Sequence, residues 1–200
     1  MSDFAGFTVD PDMVLRRGRI EADRETFGAP PEVPAAVDPE AFKAAMRVLA
    51  SGVVMVTTRS GDEPYGLTVS ACCSISANPP QVLISLAETA SCLTAVLETR
   101  RFGLSILRAG QKSLAELGAV PGGPKNVDAF TESADGRTTA IAGALAHLEC
   151  TVDQVFRASD HVLIIGDVEH ALSVPAEELE EPGPLLYFNR TFHALGEAIE

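Results

Sequence analysis

Three apolar, β-branched runs follow one another closely in the first half of the chain, and they restrict its fold more than any other feature. VVMVTT covers residues 53–58, YGLTVSACCSIS residues 65–76 and QVLISLA residues 81–87. RSGDEP and ANPP separate these runs, and Gly, Asp, Asn and Pro favour turns. Strands joined by such short turns pair in opposite directions. The pattern therefore predicts an antiparallel sheet.

The middle run, residues 65–76, is predicted to form one continuous strand with unusual chemistry. Its period-2 alternation places Leu67, Val69 and Ala71 on one face, and Thr68, Ser70 and Cys72 on the other. The second face carries small hydroxyl and thiol groups instead of charges. Small side chains would let a flat ligand approach the backbone. The alternative is an ordinary sandwich strand whose Ser and Thr side chains face water.

The other predicted elements are short. Asp38 is an N-cap candidate for a helix with Pro39 at its first position, which is predicted to end at Ser51 and Gly52. A second helix is predicted from Ser91, a strand at residues 102–107 and a third helix from residue 110. Later strands are predicted within residues 141–174, and the segment PLLYFNRTFHAL is predicted to add one more. Six or seven strands with two or three short helices indicate a mostly β (α+β) antiparallel barrel with helices on its rim.

The chain length fits one domain with an appendage, since the sequence has 200 residues. We expect an N-terminal extension at residues 1–37, either a mobile tail or an arm that packs on a partner subunit. The main domain is predicted at residues 38–195, with a C-terminal tail at 196–200. A Gly- and Pro-rich loop at residues 120–136 has the length of a site cover, or of a plain surface excursion.

The charge balance excludes several classes of function. A net charge of -13 would repel a nucleic acid backbone and an anionic membrane surface. No apolar run reaches the roughly 18 residues that a membrane span needs, and the start lacks the order of a secretory signal. We therefore expect a cytoplasmic protein. Its four cysteines form no CxxC or Cys/His cluster, so we expect reduced thiols and no metal.

Two local patterns could carry chemistry. Ser91 and Thr94 stand at the start of the second helix, where free N–H groups favour an anion such as phosphate, although both residue types are also common as simple capping residues. Asp160 and His161 open an apolar strand, where a carboxylate can tune an imidazole, although a single His is more often structural. No GxSxG, GxxxxGKS or GxGxxG motif occurs, so the sequence does not support a common nucleophile, P-loop or Rossmann site.

The order of these segments resembles the short-chain flavin reductase family, the reductase components of two-component flavin monooxygenases. AFKAAMRVLASGVVMVTT is similar to the family's helix and first strand, and YGLTVSACCSISANPPQVLISLA to its flavin-binding strands. TASCLTAVLETRRFGLSILRAGQKSLAELG resembles its phosphate-side helix, next strand and following helix. ALAHLEC and DHVLIIGDV resemble its later strands. The likeness covers roughly residues 38–195.

The resemblance implies a split β-barrel of Greek-key type that binds FMN or FAD, usually as a homodimer with the flavin near the interface. Residues 68–72 would line the isoalloxazine ring, residues 85–87 would lie nearby, Ser91 and Thr94 would take the phosphate, and His161 would lie beside the nicotinamide of NADH or NADPH. The flavin-binding residues implied are Thr68, Val69, Ser70, Ala71, Cys72, Ser85, Leu86, Ala87, Ser91 and Thr94.

The implied function is an NAD(P)H:flavin oxidoreductase that supplies reduced flavin to a partner monooxygenase. The sequence departs from the family pattern at Ser159, at Ala129 and at Asn189 with Arg190, where the family usually has Gly, Arg and Gly respectively. One alternative is therefore a flavin-binding carrier or partner subunit without reductase activity. Another is a pyridoxamine phosphate oxidase relative, but that group tends to use basic phosphate-binding residues, and none stands between Arg59 and Arg100.

Overall fold

The computed structural model describes residues 37–122, 128–133, 136, 138–175, 178 and 183–196. The chain divides into two units, Met1–Phe42 and Lys43–Glu200, and the fold lies in the second. Residues 1–36 of the predicted extension, residues 123–127, 134 and 135 of the glycine-rich loop, and the last four residues fall outside the described part of the chain. None of the helices in the described part has the length and apolar character of a membrane span.

The described residues form three α-helices and twelve β-strands. The helices are α1 Pro39–Arg47, α2 Ser91–Thr99 and α3 Lys112–Ala119, the last preceded by a 3-10 turn at Ala109–Gln111. The strands are β1 Ser51–Gly52, β2 Val54–Ser60, β3 Glu63–Val69, β4 Cys72–Ala77, β5 Pro80–Ala87, β6 Arg101–Ile106, β7 Phe130–Glu132, β8 Thr139–Ile141, β9 Ala146–Ala158, β10 His161–Ser173, β11 Leu185–Phe188 and β12 Thr191–Ala194.

A seven-stranded antiparallel sheet in the order β3-β2-β6-β9-β10-β5-β4 forms the barrel, which confirms the predicted fold class. Its two edge strands, β3 and β4, are separated along the chain by Ser70 and Ala71 alone. So short a link spans at most about 11 Å, and it therefore holds the two edges close at one end. No ladder joins β3 to β4 among the described strands, so the barrel stays split.

Two hydrophobic cores lie on opposite faces of this sheet. The inner core fills the barrel with residues such as Val56, Ile84 and Phe102, and α2 contributes Leu93 and Val96 to it. The outer core lies where α3, β8 and β11 cover the other face of β2. Its buried members are Val53, Met55, Leu107, Ala115, Ile141 and Leu185. The alternation of β2 explains the division, since Val54 and Val56 face inward and Val53 and Met55 face outward.

Buried polar contacts attach the short β7–β8 hairpin to the outer face of the sheet. The Thr57 hydroxyl donates to the carbonyl of Thr139, and the Ile141 N–H donates to Ser105 Oγ at 3.3 Å. Ser105 Oγ lies 2.9 Å from His147 Nδ1. His147 thus has a structural contact on the outer face of the sheet.

Replacing Gly103 by alanine is expected to lower the free energy of unfolding by about 2 kcal/mol. A Cβ at this position would lie 2.6 Å from Thr57 Oγ1, 2.7 Å from His147 Cε1 and 3.0 Å from the Thr139 carbonyl oxygen. Chemical denaturation measures the change. Gly52→Ala is the matched control, because a Cβ at this strand glycine meets nothing within 4 Å. Equal stability of the two variants would contradict the tight packing.

The two ends of the described chain correct the sequence predictions. The first helix ends at Arg47, before the predicted Ser51 and Gly52, because these two residues pair with β11 as strand β1. The segment predicted to form one closing strand forms the hairpin β11–β12 instead. Asn189 and Arg190 make its turn with φ of 47° and 64°, a left-handed conformation that suits two-residue hairpin loops.

Candidate active site

The predicted ligand strand, residues 65–76, is not one strand. It breaks after Val69, and the chain resumes as β4 at Cys72 on the opposite edge of the sheet. The break changes which face a side chain occupies, so Cys72 packs against the inner core together with Leu67 and Val69. The prediction that Cys72 shares a face with Thr68 and Ser70 is therefore wrong. We call residues 69–72 the corner.

The other candidate segments lie beside this corner. The Ser85 N–H donates to the carbonyl of Ala71 at 3.0 Å, which joins the end of β5 to the corner. Ala87, the last residue of β5, pairs with His161, the first residue of β10. Helix α2 begins at Ser91, four residues after β5 ends. The fold thus brings every residue that the resemblance implicated to one end of the barrel.

These residues differ in what they can present to a ligand. Leu86 is buried in the inner core, so only its backbone can face the site. Ser85 and Ala87 alternate with it and are half-buried on the outer face, where His161 is exposed beside them. Thr94 is exposed in the first turn of α2. Apart from His161, the side chains that these residues place at the site are therefore small, and a planar ring can lie close to the backbone.

The corner also offers polar atoms that the fold leaves available. Ser70 and Ala71 lie outside the strands, and neither N–H donates to another backbone group of the described residues. Thr68, which precedes the corner, has a buried hydroxyl oxygen that packs beside Gly118 of α3 and has no hydrogen-bond partner in the same part of the chain. Fixed backbone donors beside small side chains fit a flat ring with several acceptor atoms. The residues present therefore fit the flavin that the resemblance implies.

The start of α2 differs in detail from the sequence prediction. Ala90 occupies the N-cap with an extended backbone, and Ser91 is the first helical residue, so the reading of Ser91 as the cap is wrong. The Ser91 hydroxyl instead donates to the carbonyl of Gly122, in the segment after α3. This bond joins the start of α2 to the α3 side of the corner. The first N–H groups of a helix have no intrahelical acceptor, so α2 still offers donors to an anion.

His161 is the first residue of β10 and directly follows the two-residue turn after β9. Its Nδ1 lies 2.8 Å from Asp160 Oδ1, and this hydrogen bond lowers the pKa of Asp160. The Glu88 N–H donates to the carbonyl of Asp160 at 2.9 Å, which fixes the turn to the end of β5. Ser159 adopts a φ of 59°. This left-handed conformation explains why glycine is usual here, and Ser159 keeps the same turn at a modest cost.

The second departure from the family pattern is Ala129, which directly precedes Phe130. Phe130 packs partly buried against that core from the start of β7. The backbone of Ala129 accepts a hydrogen bond from the Ala142 N–H at 2.8 Å. Phe130, which follows Ala129, therefore has a packing role.

A cavity of about 480 Å³ opens next to the corner and contains residues that sequence reasoning missed. Thr68, Val69 and Ser70 form one wall, α3 forms the second and the β11–β12 hairpin forms the third. The missed residues are Lys112, Glu116, Tyr187, Arg190 and Phe192. They stand far apart along the chain and share no motif spacing. The one local signal was Arg190 at a position where the family usually has glycine.

The four thiols differ in how far they are buried. Burial, followed by the neighbouring Cys73, raises the pKa of Cys72 to about 11. Burial also raises the pKa of Cys92 and of Cys150 to about 12. Cys73 is the exposed cysteine. No group of three or more His, Cys, Asp or Glu residues in the described ranges is arranged to hold a metal ion.

Alkylation of the native protein near neutral pH is therefore expected to modify a single thiol per chain, that of Cys73, because the thiolate is the reactive form. Peptide mapping by mass spectrometry locates the label, and Cys73→Ser removes it. Rapid labelling of Cys72 in the native protein would contradict its position in the inner core.

Comparisons with known proteins agree with this architecture. The model of the family described as "Flavin reductase like domain" matches residues 46–196. A flavin reductase (NADH) of Kitasatospora aureofaciens is 38% identical over 162 residues, covering 80% of this chain and 83% of that protein. The reductase component of 4-hydroxyphenylacetate 3-monooxygenase of Thermus thermophilus is 38% identical over 157 residues, covering 78% of this chain and 96% of that protein.

A solved structure gives the same result for the fold. The flavin reductase PheA2 in its native state superposes with a TM-score of 0.71 at 33% identity, covering 80% of this chain and all (100%) of that chain. The family match extends from α1 to the end of the β11–β12 hairpin and includes every residue of the corner. The chain belongs to the family of flavin reductase like domains.

Proposed function

We propose that this protein is an NAD(P)H:flavin oxidoreductase that reduces FMN or FAD and supplies reduced flavin to a partner flavin-dependent monooxygenase. One observation carries the proposal: the corner at residues 69–72 presents fixed backbone donors among small side chains, next to His161 and the start of α2. The two named relatives, an NADH-dependent flavin reductase and a monooxygenase reductase component, support it.

Thr68 and the corner would hold the isoalloxazine ring, with residues 85–87 beside it. When bound, flavin supplies the redox chemistry, because it accepts a hydride from reduced nicotinamide and gains negative charge. The N–H groups of Ser70 and Ala71 are fixed by the strands on both sides. Such preorganised donors stabilise developing negative charge without a charged side chain.

The start of α2 would hold the flavin phosphate. The Leu93 N–H donates to the Ala90 carbonyl at 3.0 Å, so the available donors are the N–H groups of Ser91 and Cys92 and the exposed Thr94 hydroxyl. The Ser91 hydroxyl donates to Gly122, but its oxygen can still accept a hydrogen bond. Ser91 therefore contributes chiefly by fixing the start of α2 next to the corner.

His161 would position the nicotinamide of NADH or NADPH. Its side chain is about half exposed, at 47%, and lies over the paired Ala87 at the outer edge of the site. Asp160 holds one ring nitrogen, and this bond restricts the orientation of the imidazole. An oriented donor at the edge of the site would fix how the nicotinamide approaches the ring.

The decisive assay mixes the purified protein with NADH or NADPH and with FMN or FAD, and follows the nicotinamide absorbance. We expect flavin-dependent NAD(P)H oxidation. Flavin binding without oxidation of either nucleotide would instead support the carrier that the sequence left open. Absence of both binding and oxidation would reject the proposal.

We also propose that the protein forms a homodimer. Leu83, Phe156, Leu163 and Ile165 lie on the outer face of β5, β9 and β10, opposite the inner core, and all four are only partly buried. The outer face of an antiparallel sheet is usually polar, so an apolar one suits a subunit interface. Analytical ultracentrifugation should give twice the chain mass, and Leu163→Glu should shift the protein towards monomer.

The oxygenase partner would meet the reductase transiently, because reduced flavin can diffuse between the two proteins. Since reduced nicotinamide is the proposed hydride donor, the cytoplasm expected from the sequence remains the proposed location. Pull-down with a candidate monooxygenase and transfer of reduced flavin under anaerobic conditions test the partnership.

A further inference from the structure

The cavity next to the corner is lined by both aromatic and charged side chains, and binding of the flavin ring does not require this combination. Tyr187 and Phe192 supply aromatic surface, with ring centroids 5.2 Å apart. Val69 and Ala119 add apolar surface from the other two walls. A cavity of about 480 Å³ lined this way suits a compact, flat ring system.

Two cations from different elements line the same cavity. Lys112, at the start of α3, has its Nζ 6.0 Å from the centroid of the Phe192 ring and forms an ion pair with Glu116. Arg190, in the β11–β12 turn, makes no hydrogen bond or ion pair with the described residues. Its guanidinium therefore remains available to a ligand.

The two-residue hairpin turn places the Arg190 backbone in a conformation that glycine or asparagine usually supplies. Its φ of 64° lies in the left-handed region, where glycine fits without cost. In a chain of net charge -13, an unpaired guanidinium beside a lysine makes a local site for anions. Guanidinium geometry suits phosphate in particular.

We infer that this cavity binds the adenosine phosphate end of a dinucleotide, with the base among the aromatic side chains and the phosphate at Arg190 and Lys112. The inference rests on the proposed function and extends it. Thr68, Val69 and Ser70 belong both to the cavity wall and to the flavin-binding segment, so one extended ligand can reach both places. The dinucleotide is either FAD or NAD(P)H, and the two share this chemistry.

The test measures binding of ADP to the full-length protein by isothermal titration calorimetry at low salt, without flavin or turnover. Arg190→Gly is expected to weaken ADP binding about tenfold or more, because it removes a charge-assisted contact. Glycine suits the positive φ, so thermal stability should be kept or raised. Glu116→Gln, which releases Lys112, is expected to tighten ADP binding.

Arg100→Gly is the matched control. Arg100 also has a positive φ, of 57°, but it ends α2, and its side chain donates to the carbonyl of Val152 at 2.9 Å. It does not line the cavity. This variant should bind ADP as the unmodified protein does.

Two further titrations distinguish the sources of the adenosine phosphate. If Arg190→Gly weakens the binding of FAD but not that of FMN, the cavity takes the adenosine end of FAD. If it weakens NADH binding and leaves the binding of both flavins unchanged, the cavity takes the adenosine end of the nicotinamide dinucleotide. The inference is overturned if the unmodified protein does not bind ADP at concentrations on the order of 1 mM. It is also overturned if Arg190→Gly leaves ADP binding unchanged, or if that variant weakens the binding of FMN as much as the binding of FAD. Failure of the reductase assay would leave the ADP result standing, so the two proposals fail separately.

Discussion

Valine at position 118 is expected to lower the free energy of unfolding by about 3 kcal/mol and to weaken flavin binding about tenfold. Gly118 is buried in α3, where a Cβ would lie 2.2 Å from Thr68 Oγ1, 2.6 Å from Met55 Cε and 3.2 Å from the Thr68 backbone nitrogen. Met55 can move, but the Thr68 backbone cannot move without displacing the end of β3. The substitution therefore acts on the corner through the packing of α3.

Gly110→Ala is the control for this effect, because a Cβ there meets nothing within 4 Å and the residue lies just before α3. Chemical denaturation and quenching of flavin fluorescence give the two quantities. We expect Gly118→Val to change both the stability and the flavin affinity, and Gly110→Ala to change neither. A Gly118→Val protein with reduced stability but unchanged flavin affinity would separate the corner from the flavin site and contradict our assignment.

Alanine at position 161 is expected to reduce kcat/KM for the reduced nicotinamide about 10- to 100-fold and to leave the flavin dissociation constant unchanged. The reason is that His161 stands at the outer edge of the site, held by Asp160, while the corner residues hold the ring. Steady-state kinetics with varied NADH, together with a flavin titration, measure the two parameters.

His170→Ala provides the comparison for this variant. His170 lies on the same strand β10, is exposed, and is far from the β9–β10 turn. It should leave both parameters unchanged. If the His161 and His170 variants have equal kinetics, His161 does not belong to the site. If the His161 variant loses flavin affinity, His161 contacts the flavin.

The local part of this fold was readable from the sequence because alternation and turn residues act over a few positions. The apolar run at residues 53–58 predicts β2, and GDEP predicts the turn before the next strand. The N-cap assigned to Asp38 is confirmed, since its carboxylate accepts a hydrogen bond from the Glu40 N–H at 3.2 Å. Each of these features depends on neighbours in the chain alone.

The break at Ser70 and Ala71 was not readable in the same way. Neither residue is a turn former strong enough to interrupt the alternation of residues 65–76, and no glycine or proline marks the position. The break exists because the chain must pass from one edge of the sheet to the other, which is a property of the whole barrel. Similarly, the pairing of Ser51 with Tyr187 ended the first helix early.

The candidate site was likewise predictable only in its local part. The resemblance implicated residues that lie on adjacent segments, and the fold places them together at one end of the barrel. Lys112 and Arg190 meet at the cavity only because α3 and the β11–β12 hairpin pack on the outer face of β2 and β3. No spacing rule connects residues brought together by such packing, and the structure was needed to find them.

A crystal structure of the flavin complex tests the central claim most directly. We predict an isoalloxazine ring against residues 68–72, with polar ring atoms about 3 Å from backbone N–H groups of the corner. A ring bound elsewhere on the barrel, with the Ser70 and Ala71 amides turned to solvent, would contradict the account.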